Sequence, residues 1–378
     1  MMITLSKRTV AAIAGAAIAA GMLALVTGQG AATSAGRVRA EAPAGAAAGV
    51  RVVQDATGTA AQAAAVRYWT PARMAAAVKN ANTHNPGKTV RTVKKRPARK
   101  PVSRERRLTR KPPPAPVTPV TPVAPVAPAK PPTPWLTGDT AGEGLRWTHA
   151  GAVAADVGKI FFTLAGDNYV CSGTLVGGGH PDVVLTAAHC VTSTARGGGP
   201  QWATNWMFVP GYRDGLRPYG EYTARRFFVT PDWTGLRGGS EQYDVAFVQV
   251  AAATLFGVSG AAEPPPGLPV EFARAHDAAP PNRAYVFGYP SEPPYSGLYP
   301  NYCAGPVTAS GGTAATRCGM TAGDSGGPWL AGFRPRSGNG PVVAVSTYKL
   351  SGNPRVLYGA VLGPQARALY QQAIGLAR

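Results

Sequence analysis

From Pro112 to Pro134 the chain places a proline at every third position: Pro113, Pro116, Pro119, Pro122, Pro125, Pro128, Pro131 and Pro134. Proline fixes φ and lacks an amide proton, so this stretch joins neither a helix interior nor a central strand. A polyproline II helix has three residues per turn, which lines these prolines along one edge of an extended rod about 70 Å long. The rod is a spacer, and it divides the 378-residue chain in two.

The two parts differ in charge. The formal net charge is +20, yet 21 of the 38 Lys and Arg residues and only 3 of the 18 Asp and Glu residues precede Thr137. From Thr137 to Arg378 there are 17 basic and 15 acidic residues. Composition therefore excludes a uniformly basic globular protein and leaves a near-neutral body carrying a basic arm. A body of 242 residues is large enough for one big domain or two small barrels. An apolar content of 45% excludes disorder throughout.

Along the arm, Lys7 and Arg8 precede an uncharged stretch from Thr9 to Val26, and Thr33-Ser34-Ala35 offers a small-x-small cleavage site. Residues 1–35 read as a cleaved export signal, and no later apolar run is long enough to span a bilayer. Residues 36–87 form an Ala-rich pro-region, in which Thr70 is set to cap a short helix with Pro71 at its first position. That helix either decorates a largely disordered arm or docks on the body. Between Lys88 and Lys111, 12 of 24 residues are Lys or Arg and only Glu105 is acidic. Like-charge repulsion forbids a core there, so residues 88–136 read as a basic and then Pro-rich linker. The basic run over 88–111 is either a solvated connector or a salt-sensitive tether to an anionic cell-wall polymer. It carries no aromatic residue to stack on bases, so no specific nucleic-acid partner is expected.

After Trp135 the texture changes. Short apolar segments such as Val157–Leu164, Tyr169–Val176, Val183–Ala188, Arg226–Val229, Val245–Val250, Ala284–Phe287, Val342–Thr347 and Val356–Leu362 alternate with turn residues. This spacing predicts an all-β body, barrel or sandwich. Only Pro364 to Leu376 has helical spacing, through Ala366, Leu369, Tyr370 and Ile374. The four cysteines, Cys171, Cys190, Cys303 and Cys318, all lie in the body. Export permits disulfides, and of three pairings the local loops 171–190 and 303–318 are the simplest. No CxxC spacing supports a zinc site, and neither a metal nor another cofactor is expected.

Three strings carry chemistry: Thr186-Ala187-Ala188-His189-Cys190, Tyr243-Asp244-Val245-Ala246-Phe247 and Gly323-Asp324-Ser325-Gly326-Gly327-Pro328. Singly, each has an ordinary structural explanation: a packed histidine, a turn-forming aspartate, a glycine-rich loop. Together they place a base, a carboxylate and a hydroxyl in one β body of an exported chain. A serine hydroxyl is a poor nucleophile until a base takes its proton, and imidazole titrates near working pH. Asp214 and Asp232, each in a turn, are rivals to Asp244.

On these strings the sequence resembles the chymotrypsin-like (trypsin-like) serine peptidases, particularly their secreted bacterial branch, over roughly residues 150–365. The resemblance implies two six-stranded antiparallel β-barrels within a peptidase domain at 137–378, with the active site between them and a C-terminal helix behind. It implies that Ser325 attacks a peptide carbonyl, His189 acts as base and then acid, and Asp244 orients the imidazole. The amides of Gly323 and Ser325 would form the oxyanion hole. Cys171 would pair with Cys190 and hold the histidine loop, while Cys303 and Cys318 would brace the wall leading to Ser325. Gly319, Met320, Ser346, Thr347 and Tyr348 would line the substrate pocket.

Gly319 stands where basic-specific members carry an acid, and Val345 where glutamate-specific relatives carry a histidine. The expected preference is a small or apolar side chain. No Ile-Val-Gly-Gly activation string exists, and Lys159-Ile160 lies inside a predicted strand, so Asp324 is left without an assigned partner. The expected protein is a secreted, monomeric serine endopeptidase acting on polypeptides. Its rival is a surface or polyanion-binding protein on a degenerate peptidase scaffold, moored by the arm; the intact His189, Asp244 and Ser325 argue against it.

Overall fold

The protein is described here from a computed structural model, which covers residues 51–54, 58–80, 139–177, 182–194, 200–236, 239–251, 265–274, 280–310 and 312–375. The export signal, the basic run and the proline rod lie outside the described residues. In chain order come β1 (Arg51–Gln54), α1 (Thr59–Tyr68), α2 (Pro71–Asn80), β2 (Leu145–Arg146) and the single-turn α3 (Ala152–Asp156). Then follow β3 (Val157–Leu164), β4 (Asp167–Leu175), β5 (Val183–Thr186), β6 (Thr192–Thr194), β7 (Pro200–Trp202), β8 (Thr204–Pro210), β9 (Tyr222–Val229) and β10 (Ala246–Val250).

Six of these close a barrel in the order β9-β10-β5-β4-β3-β8, with β8 returning to pair with β9. All its pairings are antiparallel. The side-chain period of two explains why β3 is buried almost throughout. Ile160, Phe162 and Leu164 point into the barrel with Leu175, Trp206 and Phe208. Val157 and Phe161 point the other way, into a cluster shared with Tyr285, Phe287 and Tyr289.

The second barrel contains β11 (Arg283–Gly288), β12 (Asn301–Ser310), β13 (Thr313–Arg317), β14 (Pro328–Leu330), β15 (Val342–Leu350) and β16 (Asn353–Val361). Their order is β11-β14-β15-β16-β13-β12, closed by β12 on β11, with β2 added at the β12 edge. The helix α4 (Pro364–Gly375) ends the body and buries Ala366, Leu369 and Ala373. Two six-stranded antiparallel barrels followed by a terminal helix is the expected architecture. β12, β13 and β14 lie outside the segments anticipated as strands. Gly305 and Pro306 interrupt the apolar alternation of β12, and β14 is only three residues long.

Residues 51–80 hold the main addition. The helix expected at Pro71 is α2, with the Arg73 amide donating to Thr70 Oγ1 at 3.3 Å. It is not an ornament: Trp69, Met74, Ala77 and Val78 join the same buried cluster as the body's aromatics. The strand β1 adds to the outer edge of β9, pairing Arg51–Gln54 with Arg226–Val229. No helix among the described residues is long and apolar enough to cross a membrane.

Candidate active site

The apolar strand β5 runs straight into a single 3-10 turn, Ala188–Cys190, that presents His189. Ala187, Ala188 and Cys190 are fully buried, and the Cys171–Cys190 disulfide ties this turn to β4. Both sulfurs beside His189 are therefore oxidised, which leaves no thiolate for a metal. On the adjacent strand, the 3-10 turn Glu241–Tyr243 delivers Asp244 just ahead of β10, which pairs with β5. The Asp244 carboxylate is fully buried. His189 Nδ1 donates to its Oδ2 at 2.7 Å and the His189 amide donates to its Oδ1 at 2.9 Å. The Thr347 hydroxyl donates a third bond to Oδ2 from the second barrel. The rivals are placed differently. Asp214 and Asp232 are exposed, and among the described residues their carboxylates accept a surface or local hydroxyl, from Tyr299 and Thr230 respectively.

Ser325 sits on a tight loop between β13 and β14. Gly323 and Gly326 both have positive φ, +98° and +79°, a region that glycine enters without cost. Space forbids a side chain as well: a Cβ on Gly326 would lie 2.1 Å from Thr186 Oγ1 and 2.8 Å from the Ala187 amide. The loop is thus seated against the strand that leads to His189. Ser172 on β4 makes the joint, its amide donating to the Ser325 carbonyl at 2.8 Å and its hydroxyl donating to the Gly323 carbonyl at 2.7 Å. The Ser325 carbonyl lies 3.7 Å from Cys190 Sγ. Among the described residues, no carbonyl accepts from the amides of Gly323 or Ser325.

The pocket positions divide. Gly319 lies along the wall, its amide donating to the Gly142 carbonyl at 2.7 Å. Met320 is fully buried in the core of the second barrel with Cys303, Cys318 and Trp329, so its side chain packs inward rather than lining an open pocket. Ser346, Thr347 and Tyr348, expected along the pocket, follow one another on β15 with divided duties. Ser346 is fully buried and accepts from the Trp329 indole at 3.1 Å, while Thr347 faces Asp244. Tyr348 is half-buried and stacked flat on Tyr358, ring centroids 4.6 Å apart. The Cys303–Cys318 bridge joins β12 to the residue before Gly319.

Three charged residues, Lys349, Asp324 and Lys159, are drawn into the protein with partners that the sequence did not assign. Lys349 donates to the carbonyls of Cys318 and Pro354 at 2.6 and 2.7 Å. Burial draws its pKa down to about 8 against the opposing pull of Asp324 and Glu292. Asp324 is buried, with Ser346 beside its carboxylate. Burial pushes its pKa up to about 7, although Ser346 and Lys349 pull it down. Lys159 is fully buried on β3 and donates to Ser291 Oγ and to the Gly297 carbonyl, each at 2.9 Å. Its only sequence signal was a charge inside an otherwise apolar strand.

This geometry can be set beside known proteins. A family model described as a trypsin-like peptidase domain matches residues 171–332. The protease Anisep from Arthrobacter nicotinovorans is 35% identical, with a TM-score of 0.50, and the match covers 60% of this chain and 98% of that one. A thermostable serine protease, AL20, from an extremophilic microorganism is 27% identical over 59% of this chain and 98% of its own, with a TM-score of 0.48. A Glu endopeptidase solved in complex with MPD is 19% identical over 62% and 95%, with a TM-score of 0.45. None of the curated proteins matches this chain.

Proposed function

The chain belongs to the trypsin-like serine peptidases, and on that premise we propose that it is exported and cleaves polypeptides through Ser325, His189 and Asp244. The observation that carries this reading is the doubly bonded His189–Asp244 pair, buried beside the Ser325 loop. A carboxylate that accepts from Nδ1 fixes the tautomer, leaving Nε2 as the base. The imidazolium formed when Ser325 gives up its proton is stabilised by the same carboxylate, and the proton then passes to the leaving amine. The negative charge on the tetrahedral oxygen falls to the amides of Gly323 and Ser325, each donor worth about 3–4 kcal/mol of barrier. Water repeats the sequence to release the acyl group from Ser325.

Two disulfides support export, because such bonds persist in oxidising compartments. The side chain accepted at the cleaved position is small or apolar. Gly319 offers no acid to a basic residue, and Tyr348 stands as a flat wall. Ser325→Ala is expected to lose about 10⁴-fold or more in amidase kcat while keeping its circular dichroism. A fluorophosphonate is expected to label Ser325 in the parent chain, and a peptide-amide panel to rank Ala and Val above Arg and Lys. Unchanged activity in Ser325→Ala, with no labelling of the parent, would sink the reading. A panel led by Arg or Lys would sink its specificity clause alone.

We further propose that the basic run at 88–111 tethers the enzyme to an anionic cell-wall polymer. Its support is the confinement of the charge surplus to the arm, ahead of a near-neutral body.

A further inference from the structure

The outward face of β3 is covered by the chain's own N-terminal segment. Phe161 meets the Trp69 ring at 5.5 Å and the Tyr212 ring at 5.6 Å, and all three side chains are buried. The Trp69 indole donates to the Asn205 carbonyl and the Tyr68 hydroxyl donates to Asn168 Oδ1 at 3.0 Å. Arg217, itself paired with Glu221, reaches the Trp69 carbonyl at 3.5 Å and the Met74 thioether at 2.9 Å. Further along α2, Val78 packs beside Gly297 of the second barrel. Strand β1 completes the contact along β9. That edge is available because β8 closes the barrel on β9 only at Tyr222 and Thr223, leaving Arg226–Val229 unpaired on that side.

This arrangement has the anatomy of a protein–protein interface: a buried aromatic anchor, satisfied polar bonds around it, and a strand added to a sheet edge. The covalent connection is separate from it. The segment ends at Asn80 and the body resumes at Asp139, joined through the basic run and the proline rod.

We propose that residues 51–80 are a docked ligand of the peptidase body, which remains bound when the linker is cut, so that the processed protein is a two-chain complex. The linker sets only the local concentration of the segment; the contacts set whether it stays. The proposal does not rest on the catalytic reading, because Ser325→Ala chain serves to test it.

A site-specific protease sequence is placed within 112–134 of the full-length Ser325→Ala chain, and the purified protein is cut. Size-exclusion chromatography at micromolar concentration and again tenfold more dilute, with intact mass on each peak, reads the outcome. Both polypeptides are expected in one peak, with hydrogen-exchange protection at Trp69 and Ala77 within about twofold of the uncut chain. Trp69→Ala is expected to weaken the cut complex at least about thirtyfold, as for a central anchor, while exposed Lys79→Ala leaves it unchanged. Met74→Ala serves in place of Trp69→Ala if the latter does not fold. Elution of the segment by itself at micromolar concentration, or precipitation of the body with the segment left in solution, would overturn the proposal.

Discussion

Lys159 places its amine where no water reaches it, held by Ser291 and Gly297 and facing the rings of Phe161 and Tyr289. Burial draws its pKa from 10.5 down to about 7. Between those values the unfolded chain binds the extra proton, so stability rises with pH across that interval. Asp156 and Asp324 act in the opposite sense. Burial raises each from 3.8 to about 7, although the Gly267 amide opposes this at Asp156 and Ser346 and Lys349 oppose it at Asp324. The folded state then holds the extra proton, and their stabilisation is lost as pH rises from about 4 through 7. The midpoint of thermal unfolding is therefore expected to pass through a minimum near neutral pH. Calorimetry between pH 5 and 10 checks this: Lys159→Met should flatten the rise above pH 7, and Asp156→Asn the fall below it. Equal slopes in variant and parent would contradict the assignment.

At this scale the sequence was legible where function depends on neighbours in the chain. The strings around His189 and Ser325 carry their own turns and glycines, so they stand out in one dimension. Lys159 and Ser172 were not legible as site residues, and Thr347 was legible only as a pocket position, since each takes its partner from the other barrel. Thr347 in particular looked like a pocket residue, and its hydroxyl instead completes the bonding of Asp244.

Among the elements, strands whose faces alternate cleanly were readable, and β3 matches its expected bounds residue for residue. β12, carrying Gly305 and Pro306, was hidden because its barrel partners β11 and β13 supply the order that its own pattern lacks. The two disulfides also act on elements, and differently. Cys171–Cys190 joins β4 to the turn bearing His189, while Cys303–Cys318 joins β12 to the end of β13. Replacing either pair by serines is expected to cost about 2–4 kcal/mol of stability. Only the first should also lower kcat at temperatures where both variants remain folded. Paired measurements of unfolding midpoint and amidase kcat test this, and equal kcat values would deny the first bridge its positioning role.

For the whole molecule, all but +2 of the +20 charge lies ahead of Thr137, so it describes the arm and not the body. Deleting residues 88–111 is expected to abolish retention on an immobilised anionic polymer such as polyphosphate and to leave kcat unchanged. Retention of the parent chain should collapse between about 50 and 200 mM salt. Retention that survives the deletion would place the tether elsewhere. The same arm contributes the strand that pairs with Arg226–Val229, and this has a bearing on solubility. An unpaired sheet edge beside an apolar groove is a template for a neighbouring molecule's strand, and repeated copies of that contact build aggregates. By filling its own edge, each molecule withdraws the surface on which another copy would grow, so strand β1 guards the protein against self-association for as long as it stays in place.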